Sequence, residues 1–454
     1  MRLKNNKFLS GALLIAGGAF FAKFIGAIYR IFLTPIIGSK GLGVYQMIFP
    51  VYTLLLDFSG LAVPNALAKL ISSNESEALP FSAKDYLNQS LKIFGLIGLI
   101  SSICMFIFSG VIAKVQGNLT ASLGYKTLSP AVFLVSVLSC FRGYFQGKLK
   151  MFPTAFSQIV EQIVKLVFGL LMGYIFMPNL SFAVASVTFA ITISEFFALI
   201  YLYLTYLRTG ERLRLFNKLE KDNSRFIKRK IILTTLPIVL MGIVLPFSQI
   251  IDSALTINIL NKYSQNATGL YGLFSGVVMT VINLPVSVIY GIAVVCVPSV
   301  GKQNNENKKH EVIQKALLLT FIFALIGSLV CFIFSNLIIK ILFPSLGFEE
   351  NKIAVNLLKV ACPIIIFMAI SQTENSALIG LGQTKLANVS MIFGVIIKIF
   401  LEITLISKIN VNIFGNAIAS IACYFSISLL NLIMLMIIKV KDGIKRFNVK
   451  GKEA

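Results

Sequence analysis

Residues 180–207 read LSFAVASVTFAITISEFFALIYLYLTYL, and Glu195 is the single charged side chain among them. Coiled as a helix, these residues reach about 42 Å, more than the roughly 30 Å of a bilayer's hydrocarbon core. A soluble helix of this length would carry a polar face recurring every 3.6 residues, and none is present. The stretch therefore reads as a transmembrane helix. Outward from it, similar apolar runs occupy 8–37, 43–68, 91–113, 127–146 and 155–177 upstream. Downstream they occupy 231–260, 268–299, 312–343, 353–380, 387–407 and 411–438. The first follows Arg2, Lys4 and Lys7 as a signal peptide would, but it stays apolar past Lys23 to Ile37 without a small-residue cleavage site, so it is expected to be the first span.

Composition agrees. Hydrophobic residues make up 57% of the 454 and charged ones 13%, with a mean hydropathy of +0.86. That is about half the charge of a soluble protein. A net charge of +23 raises nucleic acid as a partner, but the basic residues lie between apolar runs and at the C-terminal end, not on one domain. No nucleic-acid partner is expected. Six cysteines stand singly in apolar stretches and His310 is the only histidine, which argues against a disulfide framework or a metal site. No P-loop, nucleophile elbow or HExxH pattern occurs, so neither an ATP site nor covalent catalysis is expected, and no cofactor beyond a coupling H+ or Na+.

Lysine and arginine set the orientation. With the N-terminus inside, the inner connections hold Lys69/Lys84/Lys92, Arg142/Lys148/Lys150, the block from Arg208 to Lys230, Lys302/Lys308/Lys309, Lys385, and the tail from Lys439. The outer connections hold only Lys40, Lys114/Lys126, Lys262, Lys340/Lys352 and Lys408. Twelve spans with both termini cytoplasmic satisfy that alternation.

The halves repeat. Gly43-Val-Tyr45 and Gly269-Leu-Tyr271 each open the second span of a half, an alignment that sets Asp57 against Asn283. At constant spacing, Gly147, Ser157 and Lys165 match Gly380, Ser390 and Lys398. The expected fold is an all-α polytopic membrane protein of about twelve transmembrane helices in two parallel-repeat six-helix bundles. These are 1–207 and 231–438, joined by a basic linker 208–230 and followed by a basic tail 439–454.

Charges inside the apolar runs are the candidate functional residues, because burying one in lipid costs about 2.5–3.5 kcal/mol on insertion scales. Lys23 and Arg30 lie seven residues apart, about 20° around a helix and about 10 Å along it, and form a basic stripe. Lys165 and Lys398 occupy equivalent places in the two halves. Glu161 with Lys165, and Lys398 with Glu402, have the i,i+4 spacing of helical ion pairs. Asp57, Glu161, Asp252 and Glu374 are the acids that could hold a coupling ion, and Glu195 is a further buried acid. Pro64 marks an irregularity after Asp57, and Pro285 and Pro363 are expected to kink their helices.

Several stretches resemble the multidrug/oligosaccharidyl-lipid/polysaccharide exporter superfamily, and most of all its stage V sporulation protein B-like branch of polysaccharide flippases. They are Lys23-Phe-Ile-Gly-Ala-Ile-Tyr-Arg30 leading into Gly41-Leu-Gly-Val-Tyr45-Gln, and Gly60-Leu-Ala-Val-Pro-Asn65-Ala-Leu-Ala-Lys69. Arg142-Gly-Tyr-Phe-Gln146-Gly147 and Ser157-Gln158-Ile-Val-Glu161-Gln162 follow, with weaker echoes at Ile251-Asp252-Ser253 and Asn283-Leu-Pro285. The resemblance implies two bundles around a central cavity and alternating access. It implies membrane lipid and an anionic, undecaprenyl-linked oligosaccharide or peptidoglycan precursor as partners, the bacterial cytoplasmic membrane as location, and a monomer. A basic stripe suits a pyrophosphate. Many members of the similar branches carry fourteen spans, the last two forming a groove for the lipid tail, and this chain ends after about twelve. The drug-extruding branch also has twelve, so a cation-coupled multidrug antiporter is the alternative; it would want an acidic cavity. A membrane scaffold without transport would have no reason to place Lys23, Arg30 and Asp57 in lipid.

Overall fold

The computed structural model describes residues 2–76, 81–210, 221–301, 303 and 305–453, with side chains at 25, 26, 28–73, 81–210, 222–240, 242–297, 299–301, 303 and 305–441. Among them every regular element is helical. Contacts gather the chain into two compact units, Met1–Ala254 and Leu255–Ala454.

The first unit begins with α1 (Arg2–Leu56), interrupted at Gly38, whose φ of 66° and ψ of −178° leave the helical region. Only a residue without Cβ takes that conformation readily. The break falls at the expected border of the first two spans. Helix α1 runs into a π-helical turn, Asp57–Leu61, and then α2 (Val63–Ser76). Pro64 has no N–H to offer the carbonyl of Gly60, and the ladder widens just before it, where Ala62 N–H turns to that carbonyl instead. There follow α3 (Ala83–Ile107), α4 (Ser109–Val115), α5 (Ala121–Gly147), α6 (Met151–Ile175), α7 (Leu180–Leu207), α8 (Lys221–Gly242) and α9 (Val244–Leu260). Ser82 starts α3 with a capping box: Asp85 N–H donates to its hydroxyl and its own N–H donates to the Asp85 carboxylate at 2.9 Å.

Helices α5 and α7 are the centre of this unit. Of their most apolar 18-residue windows 72% and 67% are buried, against 22% for α3 and α6. Lipid supplies no hydrophobic drive between helices, so close packing and polar contacts decide. Thr127 of α5 donates to the carbonyl of Ala185 at 2.9 Å, and Thr192 of α7 returns a bond to the carbonyl of Thr127 at 2.8 Å. Gly143 and Gly147, one turn apart on α5, admit Leu67 and Ile71 of α2; a Cβ at either glycine would stand 2.9 or 2.7 Å from theirs.

Below them lies an apolar cluster that includes Leu67, Tyr86, Phe94, Tyr144 and Tyr206, and Ile227 and Ile231 of α8 belong to it. The start of the seventh span thus packs on the first unit. The contact border falls between Ala254 and Leu255, inside α9, and not at the basic linker 208–230. An apolar helix carries no sequence mark of which body it will pack against. Helices α8 and α9 meet at 42°, where Pro246 has no N–H for the carbonyl of Gly242.

The second unit continues with α10 (Ala267–Tyr271), a π-helical stretch Gly272–Val278, α11 (Met279–Gly301), α12 (Glu306–Ile333), α13 (Ser335–Leu342), α14 (Phe348–Ala361), α15 (Pro363–Gly380), α16 (Thr384–Ile406) and α17 (Phe414–Glu453). Pro363 is the first residue of α15, which meets α14 at 45°. Pro285 stays inside the continuous α11. The π-helical stretches do not obey the repeat: Asp57–Leu61 aligns with 283–287, not with Gly272–Val278.

Nine described helices are long and apolar enough to span a membrane, and eleven spans result when α8–α9 and α14–α15 each count once. Dividing α1 at Gly38 makes twelve. Ile107, Ile333 and Phe400 leave about two-thirds of their surface uncovered, as lipid-facing side chains do. This is an all-α, multi-pass membrane protein.

Candidate functional site

The first unit gathers charges from four helices. Arg142 lies near the end of α5, and Glu161 lies nearly three turns into α6. The two helices form a hairpin through a short turn at Lys148–Lys150. Residues about equidistant from such a turn face each other, and the long Arg142 side chain reaches one helical turn further. Its Nε donates to Ser157 Oγ at 3.1 Å and its terminal nitrogen to Glu161 at 3.0 Å. Both partners are largely buried, and Gln162 donates to the other Glu161 oxygen at 3.0 Å.

Around this pair stand Lys165, one turn along α6, and Glu195 of α7, buried with its Oε2 unbonded among the described residues. Lys165 interacts electrostatically with Glu161, Glu195 and Arg30, and its ammonium sits 5.8 Å from the Tyr29 ring. Arg30 acts in turn on Tyr45, and Tyr52 lies within range of Glu161, Glu195 and Arg142. Among the described residues three basic side chains, each partly buried, stand with two acidic ones, one basic group more than acidic. Charges so placed interact far more strongly than in water.

The structure thus brings Arg30, Lys165 and Glu161 together. It corrects one pairing: Glu161 takes Arg142 and not Lys165 as its ion-pair partner. The i,i+4 spacing is outcompeted because guanidinium can hold carboxylate and hydroxyl at once. It also moves Arg142 from the positive rim to the interior. Lys165 is left with no ion pair or hydrogen bond among the described residues. Lys23 lies outside the residues whose side chains are described.

Asp57 is not part of this cluster. Its carboxylate lies against Gly242, at the break between α8 and α9, where a Cβ would come within 2.9 Å of Oδ1. Asp252 is buried on α9 beside a separate polar node. There Gln116 donates to Ser253 at 3.0 Å and to the carbonyl of Met47 at 3.3 Å, while Tyr125 bonds both that carbonyl and Gln116.

In the second unit Lys398 pairs with the fully buried Glu402 at 3.3 Å, as its i,i+4 spacing predicts. The repeat's equivalents of Arg142 and Glu161 are Asn375 and Gly394, so the buried ion pair of the first unit has no counterpart here. Glu374, one residue before Asn375, is 1% exposed. Ser428, at the place equivalent to Glu195, lies within hydrogen-bonding reach of it. The other Glu374 oxygen has no described partner. Sequence reading missed the roles of Arg142, Ser157 and Tyr52. Arg142 was detectable from its place opposite Ser157 across a short helical hairpin.

Comparison with known proteins agrees with this architecture. The family model described as polysaccharide biosynthesis protein matches residues 8–303, and the MatE model matches 237–404. Stage V sporulation protein B of Bacillus subtilis (strain 168) is 25% identical over 97% of this chain and 87% of its own length. Lipid II flippase MurJ of the same organism is 25% identical over 95% and 83%. Among solved structures, an inward-facing multidrug resistance MATE family transporter of the MOP superfamily matches with a TM-score of 0.78 at 13% identity, over 93% of this chain and 95% of that one. An inward closed lipid II flippase MurJ matches with a TM-score of 0.70 at 17% identity, over 95% and 93%.

Proposed function

Because the chain belongs to the polysaccharide biosynthesis protein family, within the multidrug/oligosaccharidyl-lipid/polysaccharide exporter superfamily, we propose that it flips an anionic, lipid-linked sugar across a bacterial cytoplasmic membrane. The observation that carries this reading is the cation-rich cluster of the first unit. Arg142 is committed to Glu161 and Ser157, while Lys165 retains an ammonium without an acid in ion-pair range. A pyrophosphate linking lipid to sugar supplies the missing negative charge. Arg30 stands on the same side of that balance, and Lys23 extends its stripe by sequence. The relatives named for sporulation and lipid II suggest cell-wall, spore or polysaccharide precursors as the cargo class.

Transport against a gradient needs a drive. Glu374 suits a coupling proton or sodium ion: it is buried, with one oxygen unbonded and no cation paired to it among the described residues. Asp57 and Asp252 are further candidates, whereas Glu161 is held by Arg142. The same buried acid favours the second reading, a cation-coupled multidrug antiporter, whose family model covers it.

The two readings separate in reconstituted vesicles. Lys165→Gln, and Lys23→Ala combined with Arg30→Ala, are each expected to cut flipping of a fluorescent lipid-linked precursor at least tenfold while efflux of a cationic dye stays at background. Undiminished flipping, or a loss seen only in dye efflux, would falsify the anionic-substrate reading. Glu374→Gln is expected to abolish the response of transport to an imposed proton or sodium gradient.

A further inference from the structure

The second unit has a cavity of about 570 Å3 where α12 passes through α13 into α14. Leu346 and Val355, both nearly buried, are its apolar floor. Asn336 and Lys340, one turn apart on α13, face it from one side; Asn351, Lys352 and Asn356 of α14 face it from the other. Phe348 stands at its edge, 82% exposed.

Three features mark this cavity as a binding site for a particular chemistry. None of its five polar side chains makes a hydrogen bond or ion pair among the described residues, so their donors and acceptors remain available. A carboxamide both donates and accepts, which matches a hydroxyl, a group that does the same. Three carboxamides with an uncovered aromatic ring suit a pyranose, its hydroxyls to the amides and its C–H face to the ring. Two lysines add point charges for an anion. Outer connections of a bacterial membrane protein are poor in lysine. Under the orientation set by charge, two of the few outer lysines nevertheless converge on this one cavity.

We propose that this cavity binds a saccharide carrying a phosphate or carboxylate, as a second site apart from the charge cluster of the first unit. The proposed flippase activity explains why such a sugar would arrive on that side. The binding itself does not depend on it and is tested with soluble probes. The full chain is placed in phosphatidylcholine nanodiscs and titrated with N-acetylglucosamine 1-phosphate, N-acetylglucosamine and inorganic phosphate. The sugar phosphate is expected to bind most tightly. Lys340→Gln with Lys352→Gln is expected to weaken it at least tenfold at unchanged melting temperature. Phe348→Ala is expected to erase the preference over inorganic phosphate. Three results would each overturn the proposal: equal affinity for phosphate and sugar phosphate, an unaffected lysine variant, or displacement of the probe by phosphatidylglycerol added to the disc. The last outcome would make the cavity a lipid-headgroup site.

Discussion

Arg142 and Glu161 stand at the charge cluster as a largely buried pair, and their contribution to stability can be measured as a pair. Removing one partner of a buried pair leaves the other charged and desolvated, a loss of about 3–5 kcal/mol. Replacing both with apolar groups of similar size is close to neutral. Arg142→Met alone is therefore expected to lower the melting temperature markedly, and Arg142→Met with Glu161→Met to restore most of it. The chain has no tryptophan, but Cys140, Cys296, Cys331, Cys362 and Cys423 are buried and report unfolding through a thiol-reactive dye once the exposed Cys104 is replaced by serine. A double variant as unstable as the single one would contradict the pair's structural account. At this scale the site was half legible. Arg30, Lys165 and Glu374 declare themselves because a charge in an apolar run is rare. The Lys398–Glu402 pair is local and follows from helical spacing. The Arg142–Glu161 pair bridges two helices, and only the turn geometry brings it together.

Elements were legible where one residue forces the backbone. Gly38 and Pro363 break helices at the places their chemistry dictates. The stretch Gly272–Val278 could not be read in this way, since a π-helical turn keeps the same apolar composition and merely shifts the face by a residue. Close packing is equally silent in composition: Gly95 and Gly143 look alike in sequence. A Cβ at Gly95 meets nothing within 4 Å, whereas at Gly143 it would meet Leu67 Cβ at 2.9 Å and Pro64 Cα at 3.0 Å. Neither neighbour is the flexible end of a side chain. Gly143→Ala is thus expected to push α5 from α2 and destabilise by about 1–3 kcal/mol. Gly95→Ala should be neutral or stabilise by up to about 1 kcal/mol through helix propensity. The two melting temperatures decide; equal shifts would mean that α2 and α5 are not in close contact.

For the whole molecule, hydropathy and charge say different things. Apolar runs gave the number of spans, because each must exceed the membrane's thickness whatever its neighbours are. They could not give the division at Ala254, which depends on Ile227 and Ile231 packing with Tyr86 and Tyr206. Orientation rests on a third kind of information, the lysine and arginine bias between connections, and it can be tested span by span in the second unit. Lys262 and Lys408 lie in connections expected outside, Lys308 and Lys385 in connections expected inside, and all four are exposed. Three helical segments separate them in turn: α10–α11, then α12 to α15, then α16. If α14 and α15 are one bent span, the side changes an odd number of times between Lys262 and Lys308 and again between Lys385 and Lys408. Between Lys308 and Lys385 the number of changes is even. In a cysteine-free background, an impermeant maleimide is expected to label Lys262→Cys and Lys408→Cys in intact cells. Lys308→Cys and Lys385→Cys should react only after lysis. Labelling of Lys385→Cys from outside would make α14 and α15 two separate spans or a re-entrant pair. Lys340 and Lys352, and the cavity they line, would keep their side in either case, because α12 alone separates them from Lys308.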